Sequence, residues 1–388
     1  MKAIRVLHVL GAMNRGGVET WLMHALRHLD RERVQMDFLV TTNQPAAYDA
    51  ELLALGARIL RCPSPHNPLL FGRRFLAAVK QFGPFEAIHS HVHHASGYIL
   101  WLAQRASVPL RLAHSHSDTA RLDTSAGLAR RCYLQVMKKS IRSHATHFVG
   151  ASDAAGRALF GEDWSADPRS RVLHCGIDLA PFRRRPAKAL VRAAWSIAPD
   201  DFVIGHVGRF DTQKNHVLLL HIAAEVARRH PRTRLLLVGD GPLRSMLADQ
   251  IRDLGIGNQV ILTGVREDVA DLLSAMDMFV FPSLHEGLGL ALVEAQAAGL
   301  PCVVSDVIPR EADVVPALIR RVPLAAGVGH WVDCVLTARS RPVPDAADAL
   351  ATVENSSFNI LRRIDSLYAL YDKAPEIVVS KDSYHDTR

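Results

Sequence analysis

Two carboxylates stand eight residues apart in "FPSLHEGLGLALVEAQAAGLPCVVSD", residues 281–306, a stretch with hardly any other charge. Eight residues of an ideal helix turn through about 800°, leaving the two side chains about 80° apart. Glu286 and Glu294 would then not share one helical face. Gly287 and Gly289 favour a loop first, with the helix beginning near Gly289 or Leu290. Glu286 then belongs to the loop at a strand end and Glu294 to the first turns of the helix, both aimed at a cleft. Between them the helix N-terminus would point its amides at an anion. A helix-terminal acid and a surface acid would account for either glutamate singly. They do not account for the apolar "LALV" and "AQAAG" around Glu294, because a buried carboxylate needs a partner.

Cations stand where such an anion would need them. "VGRFDTQKNH" places Arg209 and Lys214 in the loop after a strand, the end at which α/β folds bind ligands, and two cations there suit a diphosphate. Read by itself, the segment is equally a solvated basic loop. Gly16 and Gly17, in "GAMNRGGVE", would let the backbone approach a ligand at the start of the first helix. The G-x-G-x-x-G dinucleotide fingerprint is absent. The turns "VGDGPL" and "LTGVRED" read singly as structural. Histidines crowd "HSHVHHAS" and "AHSHS". The run His89, His91, His93 and His94 invites a zinc reading, but no nearby acid completes a site and none is expected. His114 and His116 fall on one strand face.

Positioning these residues requires sheets. Short apolar runs such as "IRVLHVL", "VQMDFLVT" and "FVIGHVGRF" alternate with helix-period segments such as "VETWLMHALRHL" and "HVLLLHIAAEVARRH". That rhythm predicts parallel sheets covered on both faces. At 388 residues the chain suits two lobes rather than one. The pattern breaks at "PFRRRPAKALVRAAWSIAPDD", 181–201, the candidate boundary. The amphipathic "FNILRRIDSLYALYD" is placed to pack back across the lobes.

Taken together and in this order, Glu286-x7-Glu294, "GRFDTQKNH", "VGDGPL", "LTGVREDV" and "GGVE" resemble the retaining GT-B glycosyltransferases of family 4. "RLAHSHS" and "FNILRRIDSLYALY" look most like the branch that builds exopolysaccharide and other surface glycans. The resemblance implies two Rossmann-like parallel-sheet domains facing a central cleft. Residues 1–182 would be an acceptor-binding domain, 183–357 a nucleotide-sugar-binding domain, 358–375 a helix packing back across the lobes and 376–388 a flexible tail. It also implies transfer from a nucleotide sugar without a metal or other cofactor. Arg209 and Lys214 would neutralise the donor diphosphate, Glu294 would accept the ribose hydroxyls and Glu286 would contact the sugar. Gly289 and Leu290 would present helix-start amides to phosphate, and the backbone near Val265 would read the base. Gly16 and Gly17 would approach the diphosphate, and His116 the sugar and leaving group. In one respect the sequence departs from the pattern: where the family has Asn-Gly before "ID", Cys175 precedes Gly176.

Composition narrows the setting. The chain is 48% hydrophobic and 22% charged, as expected of a folded protein. Its five cysteines are scattered and form no C-x-x-C pair, which argues for a reducing, cytoplasmic compartment. Net charge is +7 and the pI about 9.3, suiting anionic partners. Aromatics make up only 6% and do not interleave with basic runs, which disfavours nucleic acid. The basic segment 129–145, carrying Arg130, Arg131, Lys138, Lys139 and Arg142, could lie on the inner face of an anionic plasma membrane or be a solvated face. The expected acceptor is a glycan or a polyprenyl-linked one, and a polyprenyl link would favour the former. The expected activity is hexosyl or N-acetylhexosaminyl transfer from a UDP-sugar. The competing readings are a sugar-nucleotide epimerase and a non-catalytic nucleotide-sugar-binding protein.

Overall fold

The computed structural model describes residues 3–119, 123, 127–184 and 186–372. The stretch 376–388 expected as a tail lies outside them. Among the described residues, thirteen strands form two sheets in which every pairing between strands is parallel. The first sheet contains β1 (Ile4–Leu10), β2 (Val34–Val40), β3 (Ile59–Arg61), β4 (Ala87–Ser90), β5 (Leu110–Ser115), β6 (His147–Gly150) and β7 (Ser170–Val172). The second contains β8 (Phe202–Val207), β9 (Thr233–Val238), β10 (Val260–Gly264), β11 (Met278–Phe281), β12 (Cys302–Ser305) and β13 (Ile319–Val322).

Strand order is β3-β2-β1-β4-β5-β6-β7 in the first sheet and β10-β9-β8-β11-β12-β13 in the second. Each is the doubly wound order, reversing direction beside its first strand. The crevices where ligands bind in such folds therefore open between β1 and β4 and between β8 and β11.

Alternation of side chains supplies each sheet with two cores. Along β1, Val6 and Leu10 join one apolar cluster, while Leu7 and Val9 join another on the opposite face. His8 lies between Val6 and Leu10, so its ring enters the first of these.

The chain leaves the first core after Cys175, and Ile177 already packs in the second. Ile177 bridges Asn359 in parallel, so the outgoing and returning crossovers run side by side. The return leads into the helix Ile360–Asp372, whose Ile360, Ile364, Leu367, Tyr368 and Tyr371 bury against the first lobe. The 181–201 stretch, read from sequence as a break, folds into helices Ala180–Arg183 and Lys188–Ala194. Arg192 and Lys188 of the second helix clamp Asp277 at 2.7 and 2.6 Å, and Arg192 is buried.

Candidate functional site

At the β8/β11 crevice, two loops are laced together. After β8, Asp211 caps a single 3-10 turn, Thr212–Lys214, by accepting from the Lys214 amide. Gln213 Nε2 donates to the His285 carbonyl at 2.9 Å, and Asn215 Nδ2 to the Pro282 carbonyl at 3.2 Å. These bonds hold Lys214 against the loop that follows β11, where Nζ meets Glu286 Oε1 at 2.6 Å. Glu286 is 5% exposed. Gln213 also reaches its second oxygen, at 3.3 Å. Lys214 further lies 4.9 Å from the centre of the Phe281 ring. The sequence indicated two acids and two cations but not that one of each forms a buried ion pair.

Beyond Glu286 the chain turns into the helix Leu290–Ala297, the start expected from the two glycines. Gly289, at φ +88°, occupies the left-handed region that favours glycine. Gly287 packs against the His116 backbone of the first lobe so closely that any Cβ would collide with the His116 carbonyl. Ser152 Oγ donates to the Gly287 carbonyl from the same side.

Glu294 sits one turn into this helix, on the same side as Leu290. Among the described residues no group hydrogen-bonds its carboxyl. It keeps a partly exposed edge, yet desolvation pushes its pKa up to about 7. The two glutamates thus differ in kind: Glu286 is ion-paired and Glu294 is unanswered.

From the first lobe, the helix Gly17–His28 points its N-terminus at the same place. A Cβ on Gly17 would lie 3.9 Å from Leu290 Cδ1, so the two helix starts face each other across the cleft. Gly16 is the N-cap and supplies no side-chain bond. Glu19 instead folds its carboxylate back over Gly16. Burial raises the Glu19 pKa, opposed by its own amide and by Arg209 across the cleft. Arg209 is exposed. Val265 lies at the outer end of the second sheet, just past β10 and 52% exposed. Arg15 bridges the cleft near it by pairing with Glu267.

His116 follows β5, and its ring belongs to a cluster. The β1–β4 register sets His8 opposite His89, and His91, His114 and His116 continue on that face. His8 Nδ1 and His91 Nε2 are 2.9 Å apart, as are His91 Nδ1 and His116 Nε2. Cys175 Sγ lies 3.8 Å from His116 Nδ1. Burial, reinforced by His93, pulls the His116 pKa down to about 3. His93 and His94, grouped with His89 and His91 by sequence, turn away and contact each other.

The structure therefore brings Gly16, Gly17, His116, Lys214, Glu286, Gly289 and Leu290 to one place, with Arg209 and Glu294 beside them. Gln213, Asp211, Glu19 and Ser152 were missed. The Asp-x-x-Lys spacing of a short capped turn was a usable signal for Asp211, whereas Gln213 acts on residues more than seventy positions away.

The basic helix spans Leu128–His144, but its cations are not all free for a partner. Lys138 Nζ donates to the Ala158 carbonyl and Arg142 to the Phe160 carbonyl, each at 2.7 Å. Leu134 and Ile141 are buried while Val136 is 60% exposed; Arg142 is exposed but tied to Phe160, which leaves Arg130, Arg131 and Lys139 as the exposed cations without such a bond. Among the described residues no helix is long and apolar enough to cross a membrane.

Residues 16–176 match the family described as "Glycosyl transferase 4-like domain", and residues 188–320 the one described as "Glycosyl transferases group 1". A Bacillus subtilis (strain 168) protein named as a glycosyltransferase, EpsF, is 38% identical over 375 residues, 96% of this chain and 97% of that protein. The chain belongs to this glycosyltransferase family. The glycosyltransferase is also similar to a D-inositol 3-phosphate glycosyltransferase of Mycobacterium leprae (strain Br4923), at 27% identity over 94% of this chain and 90% of that protein. In fold it matches the Anabaena protein Alr3699/HepE, solved in complex with UDP-glucose, at TM-score 0.77, 20% identity and coverage of 94% and 98%. WaaG, a glycosyltransferase involved in lipopolysaccharide biosynthesis, matches at TM-score 0.68, 18% identity and coverage of 97% and 100%. Its two parallel-sheet lobes are the GT-B fold.

Proposed function

We propose that the glycosyltransferase moves a hexose or N-acetylhexosamine from a UDP-sugar to a growing, lipid-linked glycan, with retention of configuration, in exopolysaccharide or other surface-glycan synthesis. The observation that carries this reading is Glu294, a carboxylate to which none of the described residues donates a hydrogen bond, one turn into a helix whose N-terminus faces that of Gly17–His28. Ribose hydroxyls would answer it, and the helix amides and cations would hold the diphosphate. In the transfer step the sugar C1–O bond breaks and its electron pair passes to the diphosphate. The acceptor oxygen bonds to C1 from the same face, and its proton goes to the departing phosphate oxygen. Arg209 and Lys214 stabilise that developing charge without a metal, while Glu286 and His116 flank the sugar and the Val265 backbone meets the base. Family membership favours transfer over the epimerase and binding-protein readings.

The deciding experiment is donor hydrolysis and transfer across UDP-, GDP- and ADP-sugars, with NMR of the product anomer. Consumption of a UDP-sugar with retention is expected; a GDP- or ADP-sugar preference, or inversion, overturns the reading. Activity should persist in EDTA, and its complete loss there would contradict a metal-free transfer. A lipid-linked acceptor would be met by peripheral contact through Arg130, Arg131 and Lys139, with Leu128 and Tyr133 exposed among them. R130E/R131E should reduce flotation with anionic liposomes, and unchanged flotation would remove this contact from the proposal.

A further inference from the structure

Five imidazoles and a phenol occupy the first lobe behind the cleft, more polar atoms than that core can satisfy. His8, His89 and His114 are 0% exposed, and the Nε2 atoms of His8 and His114 are buried without a hydrogen-bond partner. A buried ring nitrogen left without a partner is costly, and His114 Nε2 is one that a ligand in this core could use. The ligating atoms of His91, His114 and His116 all lie within 4.8 Å of one another. Two strands deliver them, His91 from just past β4, and His114 and His116 from the end of β5 with period-two spacing. Trp21 closes the face, its ring 5.3 Å from His114 in an edge contact.

Behind His114 lies the kind of support that metal-bound histidines have. His114 Nδ1 is 3.1 Å from His89 Nε2, and His89 Nδ1 is 2.8 Å from the Tyr371 hydroxyl. With His114 donating to His89 and His89 donating to Tyr371, the His114 Nε2 lone pair is left bare, the tautomer a metal requires. His91 and His116 are only partly buried, giving an ion a way in from the cleft. Beside them the buried sulfur of Cys175 lies 3.8 Å from His116 Nδ1.

We propose that His91, His114 and His116 form a binding site for a zinc-class transition-metal ion, with His89 and Tyr371 orienting His114 from behind. Imidazole donors with a neighbouring thiol select zinc or copper over magnesium. The ion would replace protons that the rings now share and would tie β4 and β5 to the C-terminal helix through Tyr371. It stands apart from the diphosphate cations but shares His116 with the proposed sugar contact, so the proposal is tested through His114 and His89, which the donor assignment does not use.

The test reads bound metal rather than activity. Zinc is titrated into the full-length chain in competition with a chromophoric chelator, alongside magnesium. One tight equivalent is expected, unaffected by magnesium, lost in His114→Ala and weakened about 10- to 100-fold in His89→Gln. A His114→Ala chain that failed to fold would lose the ion trivially, so cobalt(II) bound to the unaltered chain supplies a second reading. Intense visible bands of a four- or five-coordinate nitrogen site support the proposal. The pale spectrum of a six-coordinate surface ion, or a tight equivalent that a folded His114→Ala chain retains, overturns it.

Discussion

The two lobes share a strand order and bring opposite chemistry to the cleft. In the first, the strand ends carry histidines on a buried face, hydrogen-bonded to one another and kept neutral by burial. In the second, the charged groups lie past the strand ends: Lys214 paired with Glu286 and Arg209 exposed on the loops, and Glu294 alone on the helix that follows. Topology therefore fixes where a doubly wound lobe can act, and residue type decides on what. In the proposed donor site the fixed charges that meet the diphosphate come from the second lobe, while the first, apart from Arg15 and Glu19 at the cleft edge, would contribute helix-start amides and uncharged rings.

The sharpest way to break this comparison is Lys214→Ala. In the proposed transfer it would remove a cation from the developing phosphate charge, and it strands Glu286 in a buried place. Turnover should fall by about 10²- to 10³-fold and stability by about 3–5 kcal/mol, measured by steady-state kinetics and denaturant unfolding. Adding Glu286→Gln should restore much of the stability but not the turnover. Turnover within threefold of the parent in the single variant would remove Lys214 from the chemistry.

A smaller effect is expected from Glu294→Gln. Nucleotide affinity should weaken about tenfold, the worth of one good hydrogen bond. Stability should move the other way. A folded-state pKa of about 7 lies above the unfolded carboxylate value, so the native state holds its proton longer. The parent therefore loses stability as pH rises from about 4.5 through 7, on the order of 2 kcal/mol, and the glutamine variant lacks that loss. Melting curves at pH 5 and pH 8 decide it: equal pH sensitivity in both proteins would mean that Glu294 is not desolvated.

Much of this was legible in the sequence, for reasons that also mark the limits. Strands covered on both faces read as largely apolar runs, so "IRVLHVL" and "FVIGHVGRF" appear at β1 and β8 almost as written. β7, with the sequence Ser-Arg-Val, is short, partly exposed and at a sheet edge, and carries no such signal. The helix Lys188–Ala194 was hidden in a Pro- and Arg-rich stretch because its anchor, Asp277, lies more than eighty residues away. Local spacing correctly put Glu286 in a loop and Glu294 in a helix. It could not pair Glu286 with Lys214, seventy-two residues apart. The histidines show the same limit: parity put His114 and His116 on one face, but only the register between β1 and β4 brings His8 to His89.

The smallest expected effect tests the neutral face itself. His116 ring nitrogens are turned toward His91 and Cys175, and its backbone carbonyl, not its ring, meets Gly287. Being uncharged, the ring has little to offer a diphosphate. His116→Gln should therefore leave UDP affinity within about threefold of the parent, under 1 kcal/mol, by calorimetric titration, while transfer slows because the sugar loses a neighbour. A loss of UDP affinity as large as that of Glu294→Gln would break the division between the lobes, since it would place a first-lobe side chain among the groups that hold the nucleotide.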